Sequence, residues 1–193
     1  MDSNSSSKLK FKEEAYYPHK ILQEGVYNLS IEDFEREFVL NLEDFDRRNS
    51  LFEGFNKFNI ELRNLLSDGY TLWVDGSFVE CKKEPGDIDL VVFCAAEQYC
   101  KLSDKKQCRL RVLTNKGCMA KDEYFCHAFL EFFWPDTDPH SKLFKEQSGY
   151  WSRWFGNTRE LTVGNRTVTG YKKGFIQIVQ GKSPPFTSQD SWR

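Results

Sequence analysis

No stretch of this 193-residue sequence stays apolar for the ~20 residues that a bilayer-spanning helix requires, so no such span is expected. The opening Met1-Asp2-Ser3-Asn4-Ser5-Ser6-Ser7 has neither the basic start nor the apolar middle of a secretory signal, and a cytoplasmic location is the expectation. The six cysteines, at 81, 94, 100, 108, 118 and 126, contain no Cys-x-x-Cys pair. Zinc-ribbon spacing is therefore missing, and without a secretion signal a disulfide framework is not expected. Buried reduced thiols are the reading of these cysteines, with a metal site drawn from Cys118, Cys126 and His127 as the alternative. No internal repeat and no second domain can be made out.

Net charge is also small, at −2, but unevenly spread. Acidic side chains outnumber basic ones over residues 1–66, and the balance reverses over 101–116 and 141–193. A basic C-terminal third suits a triphosphate or RNA, and a solvated mixed surface accounts for it equally well.

Aromatics, by contrast, are plentiful: seventeen Phe, eight Tyr and five Trp supply ample area for a core. Residues 1–12 are expected to be mobile, 13–180 to form one domain, and 181–193 to be a loose tail. A helical lead-in spans 30–68. Ser30 caps its first helix, and Leu51, Phe55, Phe58, Leu62 and Leu65 recur at helical spacing in its second, with Gly69 as the C-cap. The core sheet begins at residue 70, with strands over 70–75 and 88–94. A broken helix follows over 95–115, carrying Lys105, Lys106, Arg109 and Arg111, whose basic face reads as solvated. A third strand spans 124–134, an aromatic-rich helix 141–155, a hairpin turns at Gly164-Asn165, and a last strand begins at Gly174.

Chemistry concentrates in Trp73-Val74-Asp75-Gly76-Ser77-Phe78 and Pro85-Gly86-Asp87-Ile88-Asp89-Leu90-Val91-Val92-Phe93. Gly76 permits a tight turn and close approach of a ligand to the backbone, and Ser77 adds a hydroxyl. Asp87 and Asp89, two apart on a strand, share one face while Ile88 and Leu90 point to the core. Two neighbouring carboxylates repel unless a cation neutralises them, and an oxygen-only pair suits Mg²⁺ (or Mn²⁺) carrying substrate phosphates.

Gly76-Ser77, a nine-residue gap and Asp87-Ile88-Asp89-Leu90 resemble the signature of DNA polymerase beta-type nucleotidyltransferases. Val74-Asp75-Gly76-Ser77-Phe78-Val79, Tyr150-Trp151, Phe155-Gly156, Arg159 and Lys173-Gly174-Phe175-Ile176 further resemble a bacterial nucleotidyltransferase-like family of unknown function. The resemblance implies an α+β fold, with a nucleotidyltransferase-type mixed sheet, helices packed on it and an N-terminal helical extension. It implies a nucleoside triphosphate as substrate, with Asp87 and Asp89 as metal ligands and Gly76 and Ser77 on the phosphates. The acceptor it implies is a hydroxyl on RNA or tRNA, a protein or a small molecule, and the setting a toxin–antitoxin or antiviral module. Arg159, Lys172 and Lys173 are candidates for offsetting the triphosphate charge. A third carboxylate is usual in that superfamily on a strand such as 124–134. Here Glu131 and His127 share one face, ~13 Å apart, and either is open as the group completing the site. The alternative is a catalytically inactive, nucleotide-binding or regulatory protein of the same fold.

Overall fold

A computed structural model describes residues 9–114, 119–164, 166–168 and 170–182. It is an α+β fold built on one mixed five-stranded sheet. In chain order, β1 (Phe11–Lys12) pairs antiparallel with β2 (Ile21–Leu22), and β3 (Gly25–Asn28) leads into α1 (Ile31–Glu35). A π-helical turn (Arg36–Leu40) and the long α2 (Phe45–Leu65) precede β4 (Gly69–Asp75), a 3₁₀ turn (Ser77–Val79) and β5 (Ile88–Ala95). Then come α3 (Ala96–Lys101), α4 (Asp104–Leu113), α5 (Met119–Tyr124), β6 (Cys126–Phe133) and α6 (Ser141–Phe155). The hairpin β7 (Leu161–Val163) and β8 (Arg166–Val168) and the strand β9 (Gly174–Gly181) are the last elements among the described residues.

The sheet order is β3-β9-β4-β5-β6, with β4 antiparallel to both neighbours and β3–β9 and β5–β6 parallel. β4 is buried along its whole length, as expected for a central strand covered on both sides.

Helices cover both faces. On one, α2 lays Leu51, Phe55, Phe58 and Leu62 against Leu72, Val74, Leu90, Val92, Ala128, Ile176 and Ile178, and Phe34, Phe38, Leu110 and Leu113 join the same core. Each fully buried Phe in this layer contributes about 1.5–3 kcal/mol. On the other face, Trp151 and Phe155 of α6 pack on Trp73, Val91, Phe93 and Phe175.

Several expectations need correcting. The lead-in helices, expected as an N-terminal extension within the one domain, do lay their apolar stripe against the sheet as part of the main core. Ser30 does cap α1, accepting from the Asp33 amide, but Gly69 caps nothing: α2 ends at Leu65, and Gly69 opens β4 at φ +125°. The segment expected to be mobile contains Leu9, which is buried, and β1. At the other end Gly181 still pairs with Gly69 inside the sheet. The last strand is an inner one, because the short β3 adds in parallel beside it. Cys94 and Cys126 are buried, whereas Cys100 and Cys108 are exposed. Cys118 lies outside the described residues. The basic face of α4 is partly internally paired, Arg109 holding Glu61 through two nitrogens at 2.5 and 3.0 Å. Among the described residues no helix is long and apolar enough to cross a membrane.

Candidate functional site

At one end of the sheet, Asp75, Asp89 and His127 lie side by side on β4, β5 and β6, Asp75 opposite Asp89 and Asp89 opposite His127. Strand alternation puts this row on the α6 face, next to Trp73, Val91 and Phe129. Ile88 and Leu90 are fully buried in the opposite core, as alternation about Asp89 requires, while Asp87, expected on the same strand, lies just before β5 begins.

The chain leaves β4 through Gly76 at φ +81°, ψ −169°, a region open essentially to glycine alone. A Cβ there would lie 2.1 Å from Asp89 Oδ2, so the turn is pressed against the carboxylate. Ser77 follows at the head of the 3₁₀ turn, with Phe78 and Val79 buried beneath it.

Two consecutive arginines near the start of α2 fix the connection between the turn and the aspartates. Buried Arg48 donates to the carbonyls of Phe38 (3.0 Å), Phe78 (2.7 Å), Glu80 (2.8 Å) and Lys82 (2.9 Å). Arg47 donates to those of Pro85 (3.0 Å) and Gly86 (2.7 Å), the residues immediately before Asp87. Asp44 adds a third tie, its side chain accepting from the Glu84 amide at 3.0 Å. Neither arginine stood out in the sequence, because backbone acceptors leave no residue pattern to read.

Asp87 and Asp89 both line a single open cavity of about 2280 Å³, together with Gly76, Ser77, His127 and Glu131. Their combined field is felt on the far side of β5, where the Cys126 thiol is pushed up by burial and then by each of the two carboxylates. Asp89 Oδ1 lies 3.0 Å from His127 Nδ1. Glu131 is two side-chain rows further along β6, opposite Phe93, and accepts from Trp151 Nε1 at 2.8 Å. Burial raises its pKa and the Trp151 bond counteracts it. The structure thus brings His127, and not Glu131, against the aspartate pair. Cys126 faces the opposite core and shares no site with His127.

The expected phosphate ligands divide three ways. Arg159 is exposed on the cavity wall. Lys172 is exposed in a bridge to Asn157 and does not line the cavity. Lys173 is buried, its ammonium 2.7 Å from Asp75 and 2.7 Å from Glu80, so its charge is taken up inside the protein. Glu80 also meets Tyr17 (3.1 Å) and His19 (2.5 Å). Burial works against its charge, but His19 and Lys173 outweigh it and hold the carboxyl below its ordinary range. The ammonium is shared by two carboxylates, and Glu80 has Tyr17 and His19 besides, whereas burial pushes Asp75 up to about 7 although Lys173 opposes it.

Among the described residues no group of three or more His, Cys, Asp or Glu side chains is placed to hold a metal by itself. Two carboxylates on an open wall beside a tight turn nevertheless fit a hard divalent cation that draws its other oxygens from water and a polyphosphate.

The model of a family described as "Family of unknown function (DUF6932)" matches residues 14–179. No curated protein and no solved structure matches the chain.

Proposed function

We propose that this chain, which belongs to DUF6932, a family of unknown function, transfers a nucleoside monophosphate from a triphosphate to a hydroxyl acceptor. The observation that carries this reading is the contact of Gly76 with Asp89, beside which Ser77 and Asp87 line the same wall. Asp87 and Asp89 would hold Mg²⁺ or Mn²⁺. Such an ion, once bound, neutralises charge on the phosphates and on the attacking oxygen.

The chain's own groups do the rest. The Ser77 hydroxyl and the first amides of its 3₁₀ turn orient the terminal phosphates, as main-chain N–H groups in a tight turn do for anions, while the Val79 and Glu80 amides donate to the Gly76 and Ser77 carbonyls. Arg159, exposed on the cavity wall, offsets charge on the polyphosphate. His127, fixed through Nδ1 by Asp89, presents Nε2 to the acceptor hydroxyl as a hydrogen-bonding partner. Lys173 supports the site from behind by holding Asp75 and Glu80 on either side of the Gly76-Ser77 turn.

A second reading is favoured by the same row of residues. An imidazole stands beside Asp89 where a third carboxylate would be usual, and this suits a protein of the same fold that binds nucleotide without turning it over. Incubation with each α-labelled triphosphate, Mg²⁺ or Mn²⁺, and RNA or protein acceptors separates the two. Label transfer that disappears in Asp87→Asn and Asp89→Asn supports the transferase. Triphosphate binding without transfer supports the second reading, and absence of binding rejects both.

A further inference from the structure

Packing explains one stripe of α6 and leaves another unexplained. Trp151 and Phe155 are buried on the sheet, but Tyr150 and Trp154 are 43% and 56% exposed. These are large rings to leave in water, since each has well over 100 Å² of apolar surface available for burial. Three and four residues apart on the helix, Tyr150, Arg153 and Trp154 lie on one side of it. The two rings are 5.8 Å apart, at 45° to each other. All three residues line the cavity that holds the aspartates. Neither Arg153 nor Arg159 has a carboxylate within ion-pair distance among the described residues, although Glu160 shares their wall.

The rings continue an aromatic lane that starts at the site. His127 lies 4.8 Å from Phe129, Phe129 4.6 Å from Trp151, and Trp151 6.5 Å from Trp154. The lane leaves from the β6 side of Asp89, whereas the Gly76-Ser77 turn that suits the triphosphate lies on the β4 side. The cavity, at about 2280 Å³, also exceeds the roughly 300–1,000 Å³ usual for a single small ligand.

We propose that Tyr150 and Trp154 form a stacking platform for the bases of a single-stranded nucleic acid, with Arg153 on its backbone, and that the strand is the acceptor whose terminal hydroxyl reaches Asp89 and His127. Flat rings interleaved with a guanidinium match alternating bases and phosphates, a pattern that a protein hydroxyl does not offer. The platform's role in delivering an acceptor rests on the transferase reading; its binding of a strand does not.

Equilibrium binding tests it without turnover. A fluorescein-labelled single-stranded RNA of about ten nucleotides, the matching DNA and ATP are each titrated with the full chain and with Trp154→Ala, Tyr150→Ala and Arg153→Ala. Both ring substitutions are at exposed positions, and circular dichroism checks that each variant is folded. Each ring removed is expected to weaken oligonucleotide binding by about 5- to 150-fold, and Arg153→Ala to flatten the salt dependence by roughly 0.7 in slope. ATP affinity is expected to be unchanged in the ring variants. A loss for RNA alone or for RNA and DNA alike supports the platform and identifies the strand.

The proposal is overturned if wild type binds neither oligonucleotide, if the ring variants bind as wild type does, or if the loss falls on ATP alone. Label transfer to protein at wild-type rate in Trp154→Ala would sink the platform and leave the transferase standing. Ring-dependent oligonucleotide binding with no transfer by wild type would do the reverse.

Discussion

Gly76 and Asp89 compete for the same space: a single methyl added to the glycine would lie 2.1 Å from the Oδ2 of the aspartate. The backbone at Gly76 is also in a conformation that side-chain-bearing residues avoid. Gly76→Ala therefore has two costs, strain in the turn of about 1–3 kcal/mol and displacement of the Asp89 carboxylate. Thermal melting should register the first, and nucleotide binding should fall further than the lost stability accounts for. Melting and binding both at wild-type levels would mean that the turn relaxes freely.

Arg47 is tied to the two carbonyls that precede Asp87 and is only half-buried. Arg47→Ala should leave the fold almost as stable as wild type while loosening Asp87. The proposed nucleotidyl transfer should then need more Mg²⁺ and run slower at saturation, whereas Arg47→Lys should restore part of the loss. Unchanged metal dependence would show that Asp87 is held by other contacts.

Arg48 and Lys173 belong to stability instead. Lys173→Met strands Asp75 and Glu80 in the interior, and breaking such a buried ion pair costs about 3–5 kcal/mol. Denaturant unfolding measures it. A loss under 1 kcal/mol would show that the two carboxylates find compensation elsewhere.

The same cluster sets a pH dependence. Asp75, pushed up to about 7 by burial, stays protonated in the folded chain over a range where the unfolded chain has already ionised it. Its penalty is therefore absent below the ordinary carboxylate range and fully present above about 7. Relative to wild type, Asp75→Asn should gain stability as pH rises from 4 to 7. A difference in unfolding free energy that is flat across that interval, or that falls, would mean that Lys173 keeps Asp75 ionised throughout.

The motif could be read in advance because its physics is local. A strand period of two sets Asp89 on the face opposite Ile88 and Leu90, whose burial fixes which side is core, whereas Asp87, expected on the same strand, falls just before β5 begins at Ile88. His127 and Glu131 could be assigned to one face, but their order relative to Asp89 depends on the β5–β6 register, which the sequence does not display. Lys173 reads as a phosphate ligand because a basic residue looks the same whether its partner is a ligand or a buried pair of acids 93 and 98 positions away. Arg47 and Arg48 were hidden for a related reason, since their acceptors are carbonyls up to 39 residues distant. The edge strand β3 has four residues, and its partner β9 lies about 150 positions later, so nothing near it announces the pairing.

The central claim is that Asp87 and Asp89, set against the Gly76-Ser77 turn, hold a divalent ion together with a triphosphate. Electron paramagnetic resonance of Mn²⁺ titrated into the protein, with and without a non-hydrolysable nucleoside triphosphate, tests it most directly. The account predicts that Mn²⁺ binds at least tenfold more tightly with the nucleotide present, and that Asp87→Asn and Asp89→Asn each abolish that gain. Equal Mn²⁺ binding by wild type and both variants, with nucleotide present, would contradict it.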